Sequence, residues 1–368
     1  MNMRLLKQLK GEARLRLLRF YTHDFVKISR KRRAKYLLNL KRAHLTPLTN
    51  AQKDEILSYW SQYRNVKSEL DWFAFYNTLC EDKNRLKYYI PESVYYTDID
   101  THFTLVRRCE ELDDKNLYDL LLPDMRKPLT VVRKTNGVIL DRDYRIITAR
   151  QALELCKQHQ HVISKETRIS AGGNGITFMD FPGCGDEEFL DWIGKAQDVN
   201  IQEIIQQHEC LNRLHANSIN SLRIMSLLLD DQVHIVSSVL RMGRDGSRVD
   251  NASSGGVACG IKPDGTLREF AFDKRGNKLS QHPQGAVFKD TKIVGYDKCC
   301  ELIRSHAGIL CNASRLVSWD FTIGPDGEPI LIEVNLTFGG VTIHQMCNGP
   351  IMGEMTDDIL SRVYHSNK

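Results

Sequence analysis

The spacing of apolar residues changes twice along the chain. At Leu6, Leu9, Ala13, Leu17 and Phe20 they recur every three or four positions, with lysines and arginines between them. That pattern predicts a basic amphipathic helix within residues 1–42. Helical spacing returns at Ile56, Trp60 and Tyr63, announced by Thr49 and Gln52 as a capping box, and continues through "ELDWFAFYNTLCED" until Pro91 breaks it. From residue 128 the pattern becomes that of strands. "PLTVVRKTNGVILD" carries an Asn136-Gly137 hairpin signal. "SLRIMSLLLDDQVHIVSSVLRMG" reads as two strands around Asp230-Asp231, and "SWDFTIGPDGEPILIEVNL" as two more around Asp326-Gly327. The order predicts an α+β fold that opens with a basic helical segment at 1–44 and a helical domain at 45–100 and continues as a strand-rich remainder.

Charge sharpens the division. Residues 1–42 hold fourteen Lys/Arg against two acids, a local +12 inside a chain whose net charge is +5, so the remainder is −7. Such a helix suits an anionic membrane surface or a partner protein; packing of one face on its own body explains the pattern as well. The segment has few aromatics and no recognition motif, so nucleic acid is not expected as a partner. No run of about 18 apolar residues and no secretory core is present. The ten cysteines form no C-x-x-C pair, which points to reduced thiols and a cytoplasmic location, with contact at the inner face of a membrane as an option.

Several polar groupings interrupt the strands. Lys165 precedes a glycine cluster, Gly172, Gly173 and Gly175, that fits either a hairpin turn or close approach of the main chain to a phosphate. Glu203, with Ile204 and Ile205, ends an apolar strand suited to a nucleotide hinge or to a sheet surface. Arg223 and Arg241 come near each other across a hairpin, and two strand arginines require an anion, from a ligand or from an internal carboxylate. Asn251 and Gly255-Gly256 form a small-residue loop that a ligand can approach. In the last hairpin, symmetry about the turn sets Asp320 opposite Glu333, with Asn335 on the same face. Two facing carboxylates repel unless a cation or proton intervenes, and an all-oxygen set of Asp, Glu and Asn is the kind that Mg²⁺ prefers.

This ordered set resembles the ATP-grasp superfamily, specifically its sugar-transfer-associated branch, with ribosomal-protein glutamate ligases as more distant relatives. The similarity runs from about Leu45 to the C-terminus and includes "LTNAQKDEILSYW", "YIPESVYY" and "KPLTVVRKTNG". A nucleotide-like first domain is not visible, and a helical segment stands in its place. The resemblance implies two α+β subdomains, at 101–202 and 203–368, clasping ATP. It assigns Lys115 and Lys165, with Gly172, Gly173 and Gly175, to the phosphates, and Glu203, Ile204 and Ile205 to adenine. It assigns Arg223, Arg241 and Asn251 to the transferred groups, and Asp320, Glu333 and Asn335 to two Mg²⁺ ions. Gly255, Gly256, His282 and Lys289 are secondary candidates for substrate contact. The implied activity is ADP-forming ligation of a carboxylate to an amine through an acyl phosphate. The partners implied are ATP, an amine donor and a carboxylate-bearing acceptor, a uronic-acid-type sugar that is nucleotide- or lipid-linked, in surface polysaccharide synthesis. A kinase acting on a hydroxyl and a non-catalytic ATP-binding scaffold are the alternatives.

Overall fold

The structure is a computed structural model that describes residues 27–167, 175–181, 183–250 and 255–365. Along the chain the helices of eight residues or more are α1 (27–39), α2 (Asn50–Ser61), α3 (Leu70–Leu79), α4 (Ala149–Lys157), α5 (Asp186–Lys195), α6 (Tyr296–Leu310), α7 (Val341–Asn348) and α8 (Thr356–His365). The strands are β1 (Thr130–Thr135), β2 (Val138–Asp141), β3 (His161–Glu166), β4 (Ile176–Asp180), β5 (Val199–Glu203), β6 (Ser221–Leu229), β7 (Gln232–Met242), β8 (Val257–Ile261), β9 (Leu267–Asp273), β10 (Lys278–Leu279), β11 (Leu316–Ile323) and β12 (Pro329–Asn335). The chain divides into two compact units, 1–102 with 354–368, and 103–353.

The first unit is helical. The capping box forms as the sequence predicts: Gln52 N donates to Thr49 Oγ1 at 3.2 Å, and Thr49 N donates to Gln52 Oε1 at 3.0 Å. Trp60, Trp72, Phe73, Phe75 and Tyr76 are buried, and the Trp60 indole N–H is satisfied by Lys87 O at 2.8 Å. Residues 27–39 of the segment expected to be a basic helix are helical as α1, whereas the positions that carried that expectation, Leu6 to Phe20, lie in residues 1–26, outside the described residues. α1 turns Ala34 and Arg30 inward. Arg30 Nη1 donates to Tyr96 O and to Asp100 Oδ2, both at 2.6 Å, and both charged groups are almost wholly enclosed. Burial pushes the Asp100 carboxyl up to about 6 although Arg30 favours its charge. α8 belongs to the same unit. Tyr364 donates to Asp98 at 2.6 Å, and Tyr59 donates to Asp357 at 2.5 Å.

The second unit holds two antiparallel sheets. Five strands are ordered β2-β1-β5-β3-β4, and seven are ordered β10-β9-β8-β7-β6-β11-β12. The Asn136-Gly137 turn has both φ values positive (49° and 81°). A two-residue type I′ hairpin requires this, and Asp230-Asp231 meets the same condition at 48° and 62°. On the five-stranded sheet Val132, Val162 and Ile201 pack with Ala152 and Cys156 of α4 and Phe189 and Ile193 of α5. On the seven-stranded sheet Leu222, Ile224, Leu240, Trp319 and Phe321 pack with Cys299, Ile303 and Ala307 of α6. Strand alternation therefore sends the polar residues of both sheets to the faces opposite these helices.

The buried Arg30–Asp100 pair generates an expectation. Asp100→Ala alone, which leaves Arg30 charged and enclosed, is expected to destabilise the protein by about 3 kcal/mol or more. Arg30→Met with Asp100→Leu is expected to cost much less, and urea unfolding of the three proteins measures the difference.

Candidate active site

The polar face of the seven-stranded sheet is organised around Asp320. In β11 this residue pairs with Glu333 of β12 on one side and Arg223 of β6 on the other. The register with Glu333 is the one that hairpin symmetry gives, with one irregularity just after it, where Phe321 faces Leu331. Arg241 of β7 sits opposite Ser221, two positions from the Arg223–Val239 pair, so both arginines lie on Asp320's face.

The anion that the arginines require is internal. Arg223 binds Asp320 with both arms of its fork, Nε to Oδ1 at 2.8 Å and Nη2 to Oδ2 at 2.6 Å. Arg241 Nη1 reaches the same Oδ2 at 3.2 Å, and its Nη2 donates to Asp250 Oδ1 at 2.9 Å. Asp250 also accepts from the Ser221 N–H at 3.2 Å and from its hydroxyl. Burial alone raises a carboxyl, yet the two guanidinium groups outweigh it and hold Asp320 below the usual range. Burial likewise works against the Arg241 charge, and Asp250 and Asp320 more than offset it.

Glu333 is neutralised from elsewhere. Lys115 Nζ lies 2.8 Å from its Oε1. The lysine stands on a turn, Lys115–Leu117, that is fastened at both ends. Asp114 accepts from Asn116 N at 2.9 Å, and the Asn116 side chain bonds Lys134 O at 3.2 Å and the Asn200 amide at 2.9 Å, tying it to the five-stranded sheet. Just beyond, the Tyr118 hydroxyl donates to Val334 O and accepts from Val334 N, both at 3.1 Å, tying it to β12. Arg133 is buried beneath, bonded to Asn116 O at 3.2 Å and to Asp119 at 2.5 Å. Asp113, close to Lys115, is pushed up to about 6 by burial against the pull of that lysine, with Glu333 adding to the rise.

Lys165 on β3 pairs with Asn200 of β5 and shares a face with it. Removal from water and the neighbouring Lys115 charge lower its ammonium to about 8, against the pull of Glu333 and Asp250. Gly175 closes the same hairpin at φ +76°. A Cβ there would lie 2.5 Å from Glu166 Cδ, so only glycine fits without a shift. Gly172, Gly173 and Asn251 lie outside the described residues.

The residues expected at an adenine hinge divide. Glu203 ends β5 with its N–H on Leu129 O and its carboxylate 2.9 Å from His159 Nδ1. Its side chain is on the face of Ile201 rather than that of Lys165. The neighbour on Lys165's face is Gln202, a buried side chain whose Oε1 accepts no hydrogen bond among the described residues. Ile204 and Ile205 follow, half-buried. Sequence reasoning passed over Gln202, and strict alternation from Ile201 was the signal that could have found it. Asp250 was missed in the same way, although it directly precedes Asn251.

The remaining candidates stand apart. His282 is fully buried; its Nε2 donates to Gly243 O at 2.8 Å and its Nδ1 accepts from Gln284 N at 3.2 Å, so both nitrogens hold loops. Lys289 is exposed on a turn and makes no side-chain contact with the Asp320 cluster among the described residues. Gly255 and Gly256 lead into β8. His344 of α7 was not chosen from sequence, yet it is buried over the polar face with Nδ1 on Ser237 Oγ at 2.9 Å. Burial and the charge of Arg223 hold it near 3, so it stays neutral at pH 7.

Asp320, Glu333 and Asn335 offer carboxylate and amide oxygens and no nitrogen or sulfur ligand, a donor set that fits a hard cation such as Mg²⁺. In the structure the two carboxylates are matched by side-chain cations, and the Asn335 amide nitrogen lies 3.5 Å from Asp320 Oδ2.

The site's charge pattern is expected to appear in stability. Asp320→Ala would leave Arg223 and Arg241 enclosed with one carboxylate fewer, a loss of about 3 kcal/mol or more in urea unfolding. Arg223→Ala is expected to cost less, because Arg241 still neutralises Asp320.

Known proteins give the arrangement a setting. Among curated proteins none matches the chain. Solved structures that match include the ATP-grasp ligase PsnB complexed with precursor peptide PsnA2 and AMPPNP, at 14% identity over 70% of this chain and 61% of that one, TM-score 0.41. D-alanyl-alanine synthetase A from Vibrio cholerae matches at 13% over 68% and 64%, TM-score 0.37, and an L-amino acid ligase from Bacillus licheniformis at 14% over 71% and 49%, TM-score 0.40. The chain therefore spans less than two thirds of these proteins' own length. Residues 189–359 match the family described as sugar-transfer associated ATP-grasp. That span holds β5 to β12 with Arg223, Arg241, Asp320, Glu333 and Asn335, and over it, a little under half of its length, the chain is similar to the sugar-transfer associated ATP-grasp family.

Proposed function

We propose that the protein is an ATP- and Mg²⁺-dependent ligase that joins a carboxylate to an amine through an acyl phosphate. Its acceptor would be a uronic-acid-type sugar and its amine an amino acid or amino alcohol, in surface polysaccharide synthesis. The observation that carries this reading is the convergence of Lys115, Arg223 and Arg241 on the facing pair Asp320 and Glu333.

Lys115 and Lys165 would hold the triphosphate, and Gln202 or the neighbouring main chain would meet adenine. The acceptor carboxylate oxygen attacks the γ-phosphorus, the bond to the β-phosphate oxygen breaks, and ADP leaves. The amine then attacks the acyl carbon, loses a proton and expels phosphate. Arg223 and Arg241 stabilise the charge that builds on the acyl oxygens, and do so from fixed positions, because Asp320 and Asp250 already hold their guanidinium planes. Magnesium held by Asp320, Glu333 and Asn335, two ions in this reading, would counter the phosphate charge. A protein nucleophile is not required.

Glu333→Gln is expected to abolish MgATP turnover while the protein stays folded. Unchanged turnover would remove the metal role. ADP and phosphate release against uronic acids and amines, each alone and in pairs, identifies the reaction. Dependence on both with loss of one water in the product is the expected outcome, whereas turnover with a hydroxyl acceptor and no amine would make the protein a kinase.

Lys165 adds a pH signature. Its ammonium is lowered to about 8, and phosphate oxygens favour the charged form. Nucleotide binding is therefore expected to take up a proton near and above pH 8, and affinity to fall as pH rises beyond that value. Calorimetry in buffers of different ionisation enthalpy measures the uptake, and Lys165→Arg, which stays charged, is expected to remove it.

Membrane contact is the final part of the proposal. On α1 the exposed positions include Lys31, Arg32, Arg33 and Lys35 beside Ile28 and Tyr36, a composition suited to anionic headgroups. No helix among the described residues is long and apolar enough to cross a membrane. Exchanging those four cations for glutamate is expected to weaken binding to anionic vesicles, and equal binding would exclude this role for α1.

A further inference from the structure

A second charged cavity lies at the end of β7, β8 and β9. It has a volume of about 280 Å³ and is lined by Arg244, Gly255, Gly256, Asp273, Lys274 and Arg275. Three cations thus meet one carboxylate, and that carboxylate is spent on its own turn. Asp273 Oδ1 accepts from Arg275 N at 2.8 Å and Asn277 N at 3.0 Å, and its Oδ2 accepts from the Asn277 amide at 2.6 Å. Burial raises this carboxyl, but the turn's hydrogen bonds outweigh it and keep Asp273 ionised. Arg244 Nε leans on its exposed neighbour Asp245 at 3.3 Å. Such a contact has small energy in water. The Arg275 guanidinium makes no hydrogen bond or ion pair among the described residues.

The glycines make room for a ligand. Gly255 has φ +95°, and a Cβ added to it would meet no atom within 4 Å, so the wall here is bare main chain facing open space. The cavity is also close to the reacting groups. β7 pairs with β8 at Arg241–Ala258 and Met242–Val257, and Arg244 and Gly255-Gly256 lie directly beyond those pairs. Arg244 is three positions from Arg241, at most roughly 10 Å of extended chain. The intervening Gly243 is fixed: its N–H donates to Ser218 Oγ at 3.3 Å and its carbonyl accepts from His282.

We infer that this cavity is the subsite for a phosphoryl group on the acceptor, which the Arg244 and Arg275 forks and Lys274 grip while the acceptor's carboxylate lies at Arg223 and Arg241. The Arg275 guanidinium is exposed and Arg244 holds only its neighbour Asp245, and guanidinium forks match phosphate oxygens in pairs. The acceptor is then an acid bearing a phosphate ester or diphosphate, soluble or lipid-linked. This rests on the ligase reading above and names its acceptor class.

The test uses the full chain saturated with Mg²⁺ and AMPPNP, so that the nucleotide phosphate site is filled. A hexuronic acid 1-phosphate and the same acid without phosphate are titrated against the wild type and against Arg244→Ala/Arg275→Ala. Phosphatidylcholine vesicles with and without a polyprenyl phosphate form the second arm. The expected result is that the phosphate improves wild-type binding about tenfold or more, and that the double variant loses this gain while binding AMPPNP as before. A gain in the soluble arm assigns the soluble source, and a gain confined to the vesicle arm assigns the lipid-linked one. If no phosphate-dependent gain occurs in either arm, or if the gain survives in the double variant, the subsite is overturned. Loss of AMPPNP binding by the wild type would instead overturn the nucleotide reading, and the two failures are therefore distinct.

Discussion

A carboxylate enclosed in a sheet must be neutralised where it stands, and this requirement fixes the polar half of the second unit. Asp320 is nearly inaccessible, so its charge is tolerated only with Arg223 and Arg241 against it. Arg241 in turn needs Asp250, which needs Ser221. Each step holds the next side chain at hydrogen-bond distance, and the result is a row of alternating charges across three strands. The helix-covered face is free of charged groups of this kind and keeps only neutral pairs such as Ser238 with the Tyr296 hydroxyl and Trp319 with Ser226.

The same logic joins the two sheets. Lys115 stands on a turn held to the five-stranded sheet through Asn116 and to β12 through Tyr118, and it neutralises Glu333 of the other sheet. The groups proposed to act on phosphate and on carboxylate are therefore linked by hydrogen bonds and ion pairs that run between the two sheets. Positioning of this kind would serve the proposed reaction, since phosphoryl transfer asks little covalent chemistry of a protein.

Much of the strand layout was legible in the sequence, because a turn residue pair and a period of two leave few registers. Asn136-Gly137 and Asp326-Gly327 marked two hairpins, and the facing of Asp320 and Glu333 followed from counting. The family resemblance drawn from the ordered motifs agrees with the match over residues 189–359. What counting could not reach were partners distant in sequence: Lys115 with Glu333, Arg223 with Asp320, Arg30 with Asp100. Glu203 shows the limit inside a single strand, since a shift of one residue moves a side chain to the other face and leaves Gln202 where a hinge contact was expected.

The return of α8 to the first unit has a consequence for how the chain is made. Asp98 receives a hydrogen bond from Tyr364, and Tyr59 gives one to Asp357, so this unit stays unfinished until α8 has been made. Domains usually complete in order of synthesis. Here residues 103–353 are made in full before the helical unit that precedes them is complete, because α8 supplies partners for Asp98 and Tyr59 only afterwards.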